Sequence, residues 1–496
     1  MRKIKNVVLY ISICFLICGI PVYYSSFGTD SIQNSEIEVT SNKKPVCSDL
    51  LYIAVDPINI SSSDDWALYP FITGDGSDLY PYVIENVEIH GIGVKIEGST
   101  EPPQLNLSYS GIYIDSNKSF IIRSSFITDF SVGIHLGFDV NISQVKNVII
   151  QDCGLGIFNS WHFTTINISD CQISNCKWIS ELGATYLNYF MYGGYGIYTS
   201  SFAVPSIIQN CHVSNCSIGI LISRSINITK NELINCGFFI EKSSIVISLP
   251  YVHDDNTVNG KPFKIFYYED NLTIRQSDAD IYGQMLFFSC DNLSISQVTI
   301  TEPCSFGLYI ENYRMNIEIG IESANGTHLE NIVCENQLIG MVLTGIVFQA
   351  NKLDVKNCEI GFGLANVRNS NFTRLLSTEC DIPFYIIARI TETTIETSPS
   401  MSFYMVDPLS RWEGLHVEYE RPSKNFDIEP SLSCTFQLDA TGLYHITNRN
   451  EEIPVVDLYV NITAPRIAGY DIWILISIVA IASILCIRKY CIKTKI

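Results

Sequence analysis

The fold is decided by two stretches of sequence, "VIIQDCGLGIF" (148–158) and "SIIQNCHVSNCSIGILI" (206–222). Each alternates apolar and polar residues, steps through Asn, Asp or Cys, and then reaches a Gly followed by an apolar residue. Alternation with a period of two and an excess of Ile indicate short strands rather than helices. The same pattern recurs at residues 120–136, 226–240, 293–310, 328–343 and 352–364.

The spacing of the glycines sets the length of the repeat. Gly111, Gly133 and Gly156 follow one another at nearly equal intervals, and Gly196 and Gly219 repeat that interval, whereas Gly156 and Gly196 lie much further apart. Strands this short cannot bury a face alone, so successive turns of the chain must stack, about 4.8 Å apart. The sequence therefore predicts an all-β fold, a right-handed parallel β-helix with about 22–23 residues per coil and an insertion after Gly156.

The cysteines follow the same period. Cys153 and Cys176 are separated by about one repeat, and so are Cys334 and Cys358, and Cys358 and Cys380. We interpret them as buried thiols that stack as small hydrophobic residues. Disulfides between neighbouring coils are the alternative, because stacked Cα atoms lie within bridging distance. Asn precedes several cysteines and is expected at turns, where it tolerates left-handed backbone and can hydrogen-bond along the stack. These residues are Asn175, Asn210, Asn215, Asn235 and Asn357.

Charge and the two chain ends favour an exported membrane protein. The formal net charge is −20, so most of the surface should repel nucleic acid, which we exclude as a partner. A basic start and the apolar run Val7–Tyr24 are typical of a signal peptide or signal anchor. The uncharged run Ile472–Ile487, followed by "RKYCIKTK", predicts a transmembrane helix with a cytoplasmic C-terminus.

We therefore expect a cell-membrane protein with one or two spans and most of the chain outside the cell. Twelve N-x-[ST] sequons would carry glycans on such a surface. After residue 390 the coils stop, and "LDATGLY" (438–444) resembles the tyrosine corner of immunoglobulin-like sandwiches. The predicted segments are a signal peptide or anchor (1–24), a linker and cap (25–73), the β-helix (74–390), a small β-rich stalk (391–465) and a transmembrane helix with a basic tail (466–496).

Two further motifs resemble those of a known family. "GDGSDLYPYVIENVEIHG" (74–91) resembles the G-D-G-S-x-x-x-P-Y-x-I-E-N signature of NosD-like parallel β-helix repeat proteins. Asp255–Ile274 is similar to a second signature, N-x-V-N-G-K-P-x-x-Y-Y, and Gly283–Ile295 supplies the return to the coils. The resemblance covers about residues 74–390 and implies the pectin-lyase-like solenoid and an exported location.

The resemblance also implies roles for parts of the chain. Asp255–Ile274 would be a hairpin-like flap that lies on the rod formed by the β-helix. The aromatic residues of the flap would cover a coil face; they are Phe263, Phe266, Tyr267 and Tyr268. Some NosD-like relatives help to mature a copper enzyme, and others bind or cleave polysaccharides. Copper sites use clusters of Met, His and Cys, and the Met and His residues of this chain are dispersed. Maturation of a metal enzyme is therefore the second alternative function.

Aromatic residues predict a binding surface for a glycan or another surface protein. The segment "FNSWHFTT" (158–165) and the insertion at 177–202 should bring rings together on adjacent coils. Flat rings supply a large contact area at a small cost in conformational entropy. The competing interpretation is an insertion that buries its own aromatic residues. The predicted ligand-binding residues are Trp161, His162, Tyr186, Tyr189, Tyr192 and Tyr195.

Polysaccharide cleavage, by a lyase or a glycoside hydrolase, is the first alternative. Hydrolysis needs two facing carboxylates, and the best acidic cluster is His253, Asp254 and Asp255. A solvated turn is the competing interpretation of that cluster. The pectinase pattern of N-T-D, D-D, H-G and R-x-K is not reproduced. No metal site and no cofactor are predicted. Calcium is the one ion left open, although no motif supports a calcium site.

Overall fold

A computed structural model gives the fold of a large part of the chain. No helix among the residues it describes is long and apolar enough to cross a membrane, and the two apolar segments at the chain ends lie outside the described residues. The structure describes residues 52–97, 104–137, 140, 142–159, 165–177, 194–199, 206–222, 226–240, 251–316, 320–323, 326–387, 390–397, 401–406, 415–419, 425–428, 433–438, 441–448 and 456–463.

Up to residue 258 the described chain consists mainly of strands of two to five residues, with one turn of 3-10 helix at Asp65–Leu68. Their shortness follows from the sequence, where each alternating run is ended by a polar step or a Gly. The strands are β1 (Ile53–Ala54), β2 (Ile58–Ile60), β3 (Tyr82–Glu85), β4 (Val87–His90), β5 (Ile96–Glu97), β6 (Gln104–Leu105), β7 (Ser110–Ile114), β8 (Phe120–Arg123), β9 (Phe126–Thr128), β10 (Val132–Leu136), β11 (Ile142–Lys146), β12 (Ile149–Gln151), β13 (Leu155–Asn159), β14 (Thr165–Ser169), β15 (Gln172–Ser174), β16 (Tyr195–Thr199), β17 (Ser206–Gln209), β18 (His212–Ser214), β19 (Ile218–Ile222), β20 (Ile226–Thr229), β21 (Glu232–Ile234), β22 (Phe238–Ile240), β23 (Tyr251–Val252) and β24 (Thr257–Val258).

These strands pair in parallel from coil to coil and form three sheets. Ser110 pairs with Val132, and Val132 with Leu155, so the coils follow one another at the interval of the repeat glycines. This is the arrangement of a parallel β-helix, as the sequence predicts. Sheet I contains β2, β7, β10, β13, β16, β19 and β22; sheet II contains β3, β8, β11, β14, β17, β20 and β23; sheet III contains β1, β4, β9, β12, β15, β18, β21 and β24.

From residue 261 the strands are longer and form two parallel sheets, with one helical turn, α1 (Gln276–Ala279). Sheet IV contains β25, β27, β29, β32, β34, β36 and β38, and sheet V contains β26, β28, β31, β33, β35, β37 and β43. The strands are β25 (Lys261–Tyr267), β26 (Thr273–Ile274), β27 (Gln284–Phe288), β28 (Ser294–Ile300), β29 (Phe306–Asn316), β30 (Gly320–Ser323), β31 (Thr327–Glu335), β32 (Ile339–Ile346), β33 (Phe348–Lys356), β34 (Ile360–Arg368), β35 (Asn371–Thr378), β36 (Ile382–Ile387), β37 (Ile390–Thr397), β38 (Met401–Val406), β39 (Leu415–Tyr419), β40 (Phe426–Ile428), β41 (Ser433–Leu438), β42 (Gly442–Asn448) and β43 (Val456–Ile462).

The parallel pairing extends beyond residue 390, where the sequence predicts the stalk to begin. Strand β38 still pairs in parallel with β36, and β37 with β35. Antiparallel pairs then follow, with β41 on β38 and β42 between β39 and β43. Within the described residues, consecutive coil-type pairing thus reaches Val406, and β43 pairs in parallel with β37 after the antiparallel strands.

The asparagines that precede cysteines lie at the corners, as predicted. Asn175, Asn210, Asn215, Asn235 and Asn357 all have φ between 48° and 57°, a left-handed backbone that Asn tolerates better than most residues. Their amides also bond along the stack, for example from Nδ2 of Asn235 to Oδ1 of Asn215 at 2.9 Å. The side chains therefore form a second ladder at the corners, beside the backbone ladder of the sheets.

Eleven cysteines are free thiols in this structure and ten of them are buried, in agreement with the interpretation as stacked thiols. One part of the prediction was wrong, because Cys334 does not stack on Cys358. Cys334 pairs with Val355 inside sheet V, whereas Cys358 lies further along the chain, at the corner after Asn357. Two residues about one repeat apart can therefore lie at different points of the coil, as Cys334 and Cys358 do.

The flap predicted at Asp255–Ile274 begins as a hairpin but becomes part of the rod. Strands β24 and β25 are antiparallel around Asn259 and Gly260, which both have positive φ. Strand β25 then pairs in parallel with β27. The rings of Phe263 and Phe238 stack at 4.3 Å, so the aromatic residue fills the core instead of covering it from outside.

A buried amide joins the two halves of the rod, residues up to 258 and residues from 261, where the strand pairing of sheet I stops. Phe238 begins the last strand of sheet I, and its N–H donates to Oε1 of Gln284 at 2.8 Å. Nε2 of Gln284 donates in turn to the carbonyl oxygen of Phe238 at 2.9 Å. The side chain of Gln284 thus makes the two hydrogen bonds that the backbone of a neighbouring strand would make.

Candidate binding site

One residue of each sheet I strand faces outward between two core residues. In β2, Asn59 is exposed while Ile58 and Ile60 are fully buried, and alternation along a strand puts their side chains on opposite faces. In later coils the equivalent residue comes two places after the repeat Gly. We call this series the outer row; its members in register are Asn59, Tyr113, His135, Phe158, Tyr198, Leu221 and Phe239.

The outer row forms a stack of rings along the rod. Ring centroids are 5.0 Å apart between Tyr113 and His135, 5.0 Å between His135 and Phe158, and 5.1 Å between Phe158 and Tyr198. Phe158 and Tyr198 are only 2% exposed, although their strand face points outward. Asn59 is exposed and Tyr113 and His135 are partly exposed, so the row is open to solvent at its Asn59 end.

Polar contacts orient the two rings at the open end. The hydroxyl of Tyr113 donates to Oδ2 of Asp115 at 3.3 Å. Nδ1 of His135 lies 3.2 Å from the carbonyl oxygen of Leu107, and since a carbonyl only accepts, the proton of a neutral ring belongs on Nδ1. Nε2 is then the acceptor nitrogen. We call these residues the Tyr113–His135–Asp115 cluster.

Burial sets the protonation of the cluster. It lowers the pKa of His135, against smaller opposing effects of the Leu107 carbonyl and Asp115. It also raises the pKa of Tyr113, and the negative charge of Asp115 acts in the same direction. At neutral pH the cluster therefore presents a neutral imidazole and a neutral phenol beside a carboxyl group. Such a set combines apolar ring surface with acceptors for hydroxyl protons.

The structure describes one of the six predicted ligand-binding residues. Tyr195 is 2% exposed and lies in register between Leu155 and Ile218. The expectation of an exposed ring is not met at Tyr195, because its side chain fills a column at the start of the sheet I strands. Trp161, His162, Tyr186, Tyr189 and Tyr192 lie outside the described residues and remain predictions.

The two predicted aromatic segments also adjoin opposite ends of the sheet I strands. Tyr195 is the first residue of β16 and aligns with Leu155, the first of β13. Asn159, the last described residue before Trp161, aligns instead with Thr199 at the other end of β16. The segment that contains Trp161 therefore follows the C-terminal end of a sheet I strand, whereas Tyr195 lies at the N-terminal end of one.

The acidic cluster predicted for catalysis stabilises a corner. Asp255 accepts hydrogen bonds from Oγ1 of Thr229 at 2.8 Å and from the backbone N–H of Lys230 at 3.0 Å. Burial raises the pKa of Asp255, but these bonds outweigh it and leave the pKa below its usual value. Asp254 is well exposed, and its nearest cation is Lys264 at 3.5 Å. His253 uses its backbone to bond Ile228.

Sequence reasoning missed the Tyr113–His135–Asp115 cluster. The segments "SGIYID" (110–115) and "VGIHLG" (132–137) read as ordinary strands. The available signal was the position two places after the repeat Gly, where aromatic rings recur from coil to coil. Within the part of the chain that the structure describes, no group of three His, Cys, Asp or Glu could hold a metal ion.

No family model matches the chain, and no match is found among curated proteins or solved structures. The likeness to NosD-like proteins therefore rests on the two sequence signatures. The structure agrees with that likeness at the level of a mostly parallel, stacked β-helix arrangement.

Proposed function

We propose that this chain is a membrane-anchored surface protein that binds a glycan at the open end of the outer row. The observation that supports the proposal is the alignment of Asn59, Tyr113 and His135 in neighbouring strands, with Asp115 beside them. The membrane anchor and the extracellular location rest on the apolar segments and basic flanks of the sequence. The binding surface rests on the described coils.

The chemistry of the open end suits a sugar. A sugar has apolar C–H faces that pack on aromatic rings, and hydroxyl groups that need acceptors. Tyr113 and His135 supply the rings, and Asp115 and Nε2 of His135 supply acceptors. The aligned residues are spaced by one coil, about 4.8 Å, so an extended oligosaccharide could contact successive coils.

Cleavage of the bound glycan is a second candidate, favoured by one observation. The Nδ1 of His135 is held by the Leu107 carbonyl, which leaves Nε2 unprotonated in a neutral ring, and burial keeps the ring neutral. An oriented neutral imidazole is suited to take a proton as a general base. Asp115 and the Tyr113 hydroxyl are polar groups beside the ring that could assist.

A glycan array with the purified full-length chain in detergent tests the proposal. Tyr113→Ala should weaken binding of a recognised glycan about fivefold to tenfold, because a ring against an apolar face is worth about 1 kcal/mol. Asp115→Asn should weaken it by about tenfold or more, because hydrogen bonds to charged groups are worth about 1.5–3 kcal/mol.

Tyr80→Ala is the matched control, since Tyr80 is exposed and lies outside the outer row. It should leave binding unchanged. Binding that is equal in all three variants would refute this site. Oligosaccharide release that is lost in His135→Gln, with binding retained, would establish the second candidate.

A further inference from the structure

Cys358 and Cys380 lie side by side on neighbouring coils. Lys356 pairs with Thr378, and Ile360 with Ile382, so the residues between them correspond one to one. Neighbouring parallel strands are about 4.8 Å apart, inside the Cα separation of a disulfide. The two thiols also hold equivalent places on their coils, because Sγ of Cys358 donates to the carbonyl oxygen of Lys356 at 3.2 Å and Sγ of Cys380 donates to that of Thr378 at 3.5 Å. A bridge between them would need little movement of the backbone.

One thiol of this pair reaches solvent, unlike the thiols of two other stacked pairs. Cys171 contacts Cys211, and Cys176 contacts Cys216, and all four are buried. Of the eleven cysteines whose burial the structure describes, only Cys380 is not buried, and Cys358 beside it is 4% exposed. Stacked thiol pairs are therefore repeated along the rod, and among these three pairs a reagent can reach only Cys358–Cys380.

The two thiols differ in acidity. The neighbouring Cys358 thiol is the main cause that lowers the pKa of Cys380 to about 6. The Cys380 thiol, together with burial, raises the pKa of Cys358 well above its usual value. The accessible sulfur is thus the stronger nucleophile at neutral pH, because the thiolate is the reactive form.

We propose that Cys380 is a modification site for small disulfides and that Cys358 is its resolving thiol. The Cys380 thiolate attacks one sulfur of the reagent R–S–S–R, forms the mixed disulfide Cys380–S–S–R and releases R–S⁻. The released thiolate takes the proton of Cys358, which then attacks Cys380 and releases a second R–S⁻. Two protein thiols are oxidised to one disulfide, and the reagent is reduced to two thiols.

Acidic residues select the charge of the reagent. Glu379 and Asp381 flank Cys380, and Glu359 follows Cys358 in register with Asp381. The nearby Lys356 is already paired with Glu335 at 3.2 Å and Asp354 at 3.6 Å. The surroundings are therefore net negative, which should attract a cationic disulfide such as cystamine and repel the anionic glutathione disulfide.

The test uses the reduced full-length chain in detergent, treated with cystamine at pH 7.5 and mapped by mass spectrometry after blocking free thiols. The expected product is a Cys358–Cys380 disulfide, with Cys171 and Cys211 still free as the matched internal control. Cystamine should react at least several times faster than glutathione disulfide at low salt, and the difference should narrow at high salt.

Two variants separate the roles of the pair. In Cys358→Ala the mixed disulfide on Cys380 should persist, because nothing resolves it. In Cys380→Ser no modification should appear at Cys358. Oxidation of Cys171–Cys211 at the same rate, or an unreacted Cys358–Cys380 pair in the unaltered chain, would overturn the proposal without reliance on either variant.

Discussion

Replacing Gln284 by Leu tests whether a side chain holds the two halves of the rod together. Gln284 is buried, and its amide makes both hydrogen bonds to the backbone of Phe238, at 2.8 and 2.9 Å. Leu has a similar volume but can make neither bond. The backbone N–H and carbonyl of Phe238, a fully buried residue, would then have lost these partners.

The cost follows from those two groups. A buried polar group left without its partner costs about 1–3 kcal/mol, so the pair costs about 2–6 kcal/mol. Burying the Leu side chain offsets part of this, because it adds apolar area to the core. We expect Gln284→Leu to lower the free energy of unfolding by about 2–4 kcal/mol.

Urea unfolding followed by circular dichroism measures the change. Gln349→Leu is the matched control, because Gln349 is exposed on β33 and surface substitutions usually change stability by less than about 0.5 kcal/mol. If the two variants unfold at the same urea concentration, the amide of Gln284 does not substitute for a strand, and the reasoning fails.

Three further predictions concern the coils. Gly156→Ala should cost about 1–3 kcal/mol of stability in thermal unfolding, since a Cβ would lie 2.3 Å from the carbonyl oxygen of Gly196; an unchanged melting temperature would contradict this packing. The pKa of Asp255 is lower in the folded chain than its value of about 3.9 in the unfolded chain, so its carboxylate stabilises the fold fully above that value and ceases to do so as the pH falls through the folded pKa. Asp255→Asn should flatten that part of the curve of unfolding free energy against pH. An unaltered curve would show that the bond from Thr229 to Asp255 contributes nothing to stability. Denaturing the chain without a reductant should expose many titratable thiols, whereas a single free thiol would show that disulfides dominate.

The repeat could be predicted because local physics determines it. Strand alternation and a regular period are both visible in one dimension, and so is the preference of Asn235 for a left-handed corner. The sequence did not show on which residues Cys334 stacks, because a spacing along the chain does not say at which point of the coil a residue lies. Its partner Val355 follows only from the register of two strands.

The candidate site was less predictable for a different reason. The sequence alone does not show which way an aromatic residue of a strand faces. Tyr195 faces the core in register with Leu155, whereas Tyr113 lies on the outer row. The hairpin at Asn259 was visible as a turn signal, yet the entry of β25 into sheet IV depends on β27, which comes later in the chain.

The corners of the first half of the rod differ in how much their length varies. Five successive connections from sheet II to sheet III contain two residues each, and a left-handed residue fixes the turn. The connections from sheet I to sheet II contain between three and twenty-one residues. A change of length there leaves every stacked neighbour in register. The corners between sheets II and III are thus constant in length, whereas the connections between sheets I and II are free to vary. Relatives should differ most in those variable connections. Foreign peptides could also be grafted there for display without disturbing the stacked coils.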